Sequence, residues 1–246
     1  MPSWLKTTFG LLLVAGALLA LEASPYVWDG WLPATCWPDC SCETLRHAGV
    51  RTPLNTYTNL AYVAAAVWMW NALPAEEPRR YGVIFVAATL ALGLGSFFFH
   101  ASLTFAGQWF DAMGMYLLIG FILLYALARW PLLNGKAFAI AYVLLNASLG
   151  VLLIVAPALR RQVFMAELVV AALLEVAYLI RRRPPIRWGY LAAGLTTFFI
   201  SDRFRAWDLA PWACRPESWL QFHPLYHCIS ALALCFIFVY YRSERE

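Results

Sequence analysis

Apolar runs of about 20 residues recur along this chain, each long enough to cross roughly 30 Å of hydrocarbon, and no other feature constrains its fold so strongly. Bounded by Pro, Gly and charge, the runs fall at 5–22, 54–73, 81–101, 109–129, 136–156, 162–180, 187–201 and 219–241. Lipid offers an open backbone no hydrogen-bond partner, so such runs must be helices, and no alternating ten-residue pattern suggests a barrel. Only 13% of the 246 residues are charged, against about 25% in soluble domains, which excludes an ordinary globular enzyme. The sequence predicts an all-α, polytopic helical membrane protein with a seven-helix core plus one amino-terminal transmembrane helix.

The expected organisation is a membrane helix or signal segment over 1–23, an extracytoplasmic Cys-containing segment over 24–53, and a seven-span core over 54–246. Lys6, the apolar stretch after it and Leu21-Glu22-Ala23-Ser24 fit either a retained helix or a cleaved secretory signal. Of 18 Lys and Arg, seven (Arg46, Arg51, Arg160, Arg161, Arg203, Arg205, Arg215) share one side if every span persists, leaving eleven on the other. The positive-inside rule then makes both chain ends cytoplasmic. No basic tract forms a nucleic-acid surface, and compact loops lean towards a bacterial inner membrane.

Ionisable side chains inside a membrane are costly, so each marks a functional candidate. His100, Asp111, Glu167, Glu175, His223 and His227 lie in or at the edge of spans. Threading the chain through the membrane puts Ser96, His100, Asp111, His223 and His227 in one leaflet, whichever way the protein is oriented. Ser96 and His100 are four apart, as are His223 and His227, so each pair shares one helix face. Three imidazoles beside a carboxylate and a hydroxyl suit a tetrahedral zinc site of three His and one water. The same residues also suit haem held between two His, or a proton relay in a transporter.

Three blocks carry a family resemblance: Cys42-Glu43 with Asn55-Thr56-Tyr57-Thr58-Asn59; Gly95-Ser96-Phe97-Phe98-Phe99-His100 followed by Asp111; and Leu220-Gln221-Phe222-His223-Pro224-Leu225-Tyr226-His227. In order and interval they resemble the alkaline ceramidase family, within a superfamily of membrane hydrolases that includes adiponectin receptors. The resemblance implies a seven-helix hydrolase core beginning near Asn55, zinc (Zn2+) on His100, His223 and His227, and cleavage of the ceramide amide to a sphingoid base and a fatty acid. Asp111 is then the expected general base, and Ser96 an oxyanion donor or water-orienting group. A phospholipid or other acyl-ester hydrolase with the same centre stands as the alternative, followed by a non-enzymatic receptor or transporter. The expected partners are a ceramide-like membrane lipid and the bilayer.

Eukaryotic members of the family bind calcium through acidic residues ahead of the first core helix. Here only Glu43 matches such a position, among Cys40, Ser41, Leu45 and approximately Thr52, with Asp39 one position away. That set suits a hard cation poorly, so Ca2+ is doubtful. The resemblance also implies a Cys42–Cys214 disulfide, while Cys36 and Cys40 either form a second bridge or stay free. A zinc knuckle of Cys36, Cys40, Cys42 and His47 is a weaker alternative with irregular spacing. Cys228 and Cys235 read as packing residues. Glu167 and Glu175 either line a path or bond neighbouring helices, and Arg203, Arg205 and Asp208 read as a solvated loop or a head-group contact.

Overall fold

The computed structural model describes residue 16 and residues 18–73, 79–130 and 132–244. The expected first span, 5–22, and with it Lys6, lies mostly outside the described residues, where only its end is helical, through Glu22.

Among the described residues, seven helical segments follow. The first is interrupted: α1 (Pro53–Thr58) and α2 (Leu60–Asn71) meet at Asn59, whose side chain turns back to the Asn55 carbonyl at 2.8 Å, a local bond that competes with regular helix. Pro53 starts α1, where its missing N–H costs nothing. Then come α3 (Arg79–Ser102), α4 (Phe105–Arg129), α5 (Gly135–Val155), a short 3-10 turn at Pro157–Leu159, α6 (Arg160–Arg182), α7 (Trp188–Trp207) and α8 (Phe222–Ser243). Among the described residues there is no strand, only an isolated bridge between Pro33 and Thr104. Five of these segments are long and apolar enough to cross a membrane, and α5 and α6 turn Val143, Ile154, Leu173 and Ile180 outward with more than half their surface exposed. The chain is an all-α polytopic membrane protein.

One expectation needs correction. Charge bounds the expected run 187–201, but α7 continues through Asp202 to Trp207. Asp202 pairs with Arg205 at 2.8 Å one turn along the same helix, so the charges support the helix rather than end it.

The α3–α4 hairpin positions the polar residues. Leu103, in the left-handed region at φ 47°, stops α3, and the Thr104 hydroxyl caps α4 by accepting from Gly107 N at 3.1 Å. The two helices then run backbone against backbone. A Cβ on Gly95 would lie 2.5 Å from the Phe110 carbonyl oxygen, and one on Gly114 would lie 2.4 Å from Leu92 Cα. Small residues permit this approach, and it sets Ser96 beside Asp111.

The far ends of α4, α6 and α8 are tied by one cation. Arg129 is paired with Glu175 and, at 3.0 Å, with Glu244; its guanidinium lies 4.2 Å from the Tyr178 ring centre. Glu175, which also accepts from Tyr240, is thus a helix-to-helix bond, one of its two expected readings.

At the opposite end, the segment before α1 lies across the mouth of the bundle. Ala34 N donates to Leu103 O at 3.0 Å and Phe105 N to Leu32 O at 2.7 Å. Disulfides join Cys36 to Cys40 and Cys42 to Cys214. With all three cysteines oxidised, the zinc-knuckle alternative falls. Cys228 and Cys235 are free thiols, Cys228 on the exposed face.

Candidate metal centre

His100 comes from the last turn of α3, and His223 and His227 from the first two turns of α8. One potential ligand atom from each ring can be chosen so that all three lie within 4.8 Å of one another. His100 and His227 are 1% exposed, and their ring centres are 5.0 Å apart.

Two of the three rings are aimed from behind. Thr58, at the end of α1, has its hydroxyl 3.0 Å from His227 Nδ1 and also 2.8 Å from the Leu54 carbonyl, to which it donates. Its one proton being spent there, Thr58 accepts from His227 Nδ1–H, which leaves Nε2 with the free lone pair. His223 is held by Asp208, just past α7. Asp208 Oδ1 accepts from His223 N at 2.9 Å, and Oδ2 lies 3.6 Å from His223 Nδ1. Oδ2 also accepts from Cys42 N at 2.9 Å, so one carboxylate, 2% exposed, joins a histidine to the disulfide-bonded segment. Burial alone would push this carboxyl up, but the His223 ring and the two backbone N–H groups hold it below the ordinary carboxylate range. His100 has its carbonyl bonded by the Thr52 hydroxyl at 2.7 Å, while its Nδ1 is buried with no partner among the described residues.

Asp111 lies in the second turn of α4, in the field of His223, and its carboxylate interacts with the Ser96 hydroxyl. The structure therefore brings the three imidazoles together, with Asp111 near enough to interact with His223 and with Ser96 beside Asp111 on the α3–α4 hairpin. Three imidazoles, one with a buried nitrogen that has no partner among the described residues, form a donor set that suits zinc and similar borderline metals.

Calcium fits poorly. Both Glu43 oxygens are occupied by backbone donors, Leu54 N at 2.7 Å and Asn55 N at 2.8 Å, and Cys40 Sγ is in a disulfide. Burial pushes the Glu43 carboxyl up, against the pull of those two hydrogen bonds. Glu43 serves as a clasp on the start of α1, the segment that carries Thr58.

Thr58 and Asp208 escaped the sequence reading. Thr58 lies in the Asn55–Asn59 block but drew no notice as a single residue, and Asp208 passed as loop charge. The structure corrects the second: Arg203 and Arg205 pair with Asp202, whereas Asp208 is neither solvated nor free for a head group.

Residues 51–245 match the family model described as Ceramidase. No curated protein matches the chain.

Proposed function

We propose that this chain, which belongs to the ceramidase family, is a zinc-dependent intramembrane amidase that hydrolyses ceramide or a ceramide-like lipid. The observation that carries the reading is the convergence of His100, His223 and His227, with Ser96 and Asp111 beside them, in a chain of this family. His100, His223 and His227 would hold the metal. A zinc ion there supplies Lewis acidity, making water a nucleophile near neutral pH and polarising a carbonyl.

The remaining chemistry belongs to the side chains. Asp111 takes a proton from the attacking water as the water oxygen bonds to the amide carbon. It returns that proton to the nitrogen as the C–N bond breaks, releasing a neutral amine and a carboxylic acid, which then exchange a proton to give ammonium and carboxylate. Ser96, beside Asp111, helps fix the direction in which the carboxylate faces, and once Asp111 holds the proton the Ser96 hydroxyl is free to donate to the carbonyl oxygen as charge develops. Thr58 and Asp208 keep two of the imidazoles in one tautomer and orientation.

Access and orientation support a lipid substrate. α6 packs on α4 and α7 on α8, while α6 and α7 share almost no interface, leaving the bundle open sideways to hydrocarbon. Both disulfides lie at the histidine end, as expected if that end faces an oxidising compartment. The site then belongs to the extracytoplasmic leaflet, with 24–53 on that side and 54–246 as the hydrolase core.

The test is elemental analysis of detergent-purified protein and of His223→Ala, with hydrolysis of a fluorescent ceramide followed in both. Near-stoichiometric zinc, lost with activity in the variant, supports the proposal. Zinc without ceramide turnover would move the substrate to other acyl lipids, and protein without zinc would overturn the reading.

A further inference from the structure

Glu167 has no part in the hydrolytic site and no hydrogen-bond partner among the described residues. It is 7% exposed within α6, and neither carboxylate oxygen accepts a hydrogen bond from any described residue. Asn146 of α5 is 5% exposed; its Nδ2 donates to the Tyr142 carbonyl at 2.8 Å, but its Oδ1 is likewise without a donor. The two side chains converge on Gly120 of α4, where an added Cβ would lie 3.2 Å from Glu167 Oε1 and 3.3 Å from Asn146 Nδ2. Three buried acceptor oxygens, two of Glu167 and one of Asn146, are thus left without a donor among the described residues on two side chains that meet at Gly120. Glu175, on the same helix, shows the usual remedy, an arginine and a tyrosine; a carboxylate buried in a membrane without one is costly.

Beside this trio a groove of about 380 Å³ opens between α4 and α5, within the size range of ligand sites. Asn146 lines it, together with apolar walls from Met113, Leu117, Val143 and Val151. The other polar groups of the groove are already satisfied: Trp109 Nε1 donates to Gly150 O at 2.9 Å and Tyr142 OH to Leu117 O at 2.9 Å. They shape the groove and leave Asn146 as the lining residue that carries an unpartnered polar atom, buried just behind the groove wall.

We propose that Glu167, Asn146 and this groove form a second lipid-phase site, which binds a primary long-chain amine. The ammonium matches the site by count and by charge, having three N–H donors for three acceptors and a positive charge for an unpaired carboxylate, while the alkyl chain lies along the groove. An alcohol of the same length would supply one donor and no charge. The amine released by the proposed hydrolysis belongs to this class, but the site stands on its own residues and is tested without turnover.

The experiment uses the full chain in lipid nanodiscs, photolabelled with a dodecylamine that carries a diazirine in its chain, with dodecylamine as competitor. The labelled peptides are mapped by mass spectrometry in the wild type and in Glu167→Gln, a nearly isosteric change. Expected is saturable labelling of peptides within 105–155, suppressed by dodecylamine but not by dodecanol, and weakened tenfold or more in Glu167→Gln. Asn146→Leu should weaken it as well. Labelling that dodecanol competes equally, that persists in both variants, or that maps only around the histidines would overturn the proposal. Zinc content, measured in parallel, separates this result from failure of the hydrolase reading.

Discussion

Replacing Asp208 by Asn tests whether the metal centre depends on the carboxylate behind His223. The carboxylate accepts from His223 N and Cys42 N, each at 2.9 Å, and faces His223 Nδ1 at 3.6 Å. Asparagine keeps one acceptor oxygen but turns an NH2 towards one of these donors and removes the negative charge that favours an Nδ1–H tautomer. Loss of such a support behind a ligand lowers metal affinity about 10- to 100-fold, or roughly 1.4 to 2.8 kcal/mol. A buried N–H left without its acceptor costs about 1 to 3 kcal/mol of stability besides. Competition of a zinc chelator against wild type and Asp208→Asn reads the first effect, and thermal unfolding of the metal-free proteins reads the second. Zinc affinity within twofold of wild type, in a variant of unchanged helicity, would refute the argument. Because Asp208 is held below its unfolded-state value, its contribution to stability is complete above about pH 4 and is lost as pH falls through the folded value.

Thr58→Val should lower zinc affinity about tenfold by taking the acceptor from His227 Nδ1, and Thr58→Ser should restore most of it in the same competition assay. Gly95→Leu should abolish ceramide hydrolysis, because any Cβ there meets the Phe110 carbonyl at 2.5 Å; the hairpin must part, so Ser96 leaves Asp111, and wild-type rates would refute this. Arg129→Met strands Glu175 and Glu244 and should destabilise the protein by about 3 to 5 kcal/mol, read as a lower denaturation midpoint in detergent, with zinc binding at the other end retained. Glu43→Gln removes one of two acceptors at the start of α1 and should cost about 1 kcal/mol, while chelating calcium in a hydrolysis assay should leave the wild-type rate unchanged.

Sequence and tertiary structure decided different things here. Spans, helical class and the shared face of His223 and His227 are local properties, set by run length and by a repeat of about 3.6 residues, and so were legible in the chain itself. That His100 and Asp111 lie at the depth of that pair follows from threading alone. Which of two similar acids is paired did not: Glu175 meets Arg129, 46 positions away, and Glu167 meets no donor among the described residues, although both lie in one apolar run. The hold of Asp208 on His223 and the support of Thr58 behind His227, 169 positions distant, were equally unreadable. Each depends on the register in which helices remote in sequence pack together, and that register is set by close contacts such as Gly95 on Phe110. Hydrophobic periodicity says which face of a helix turns inward, but not which atom it finds there.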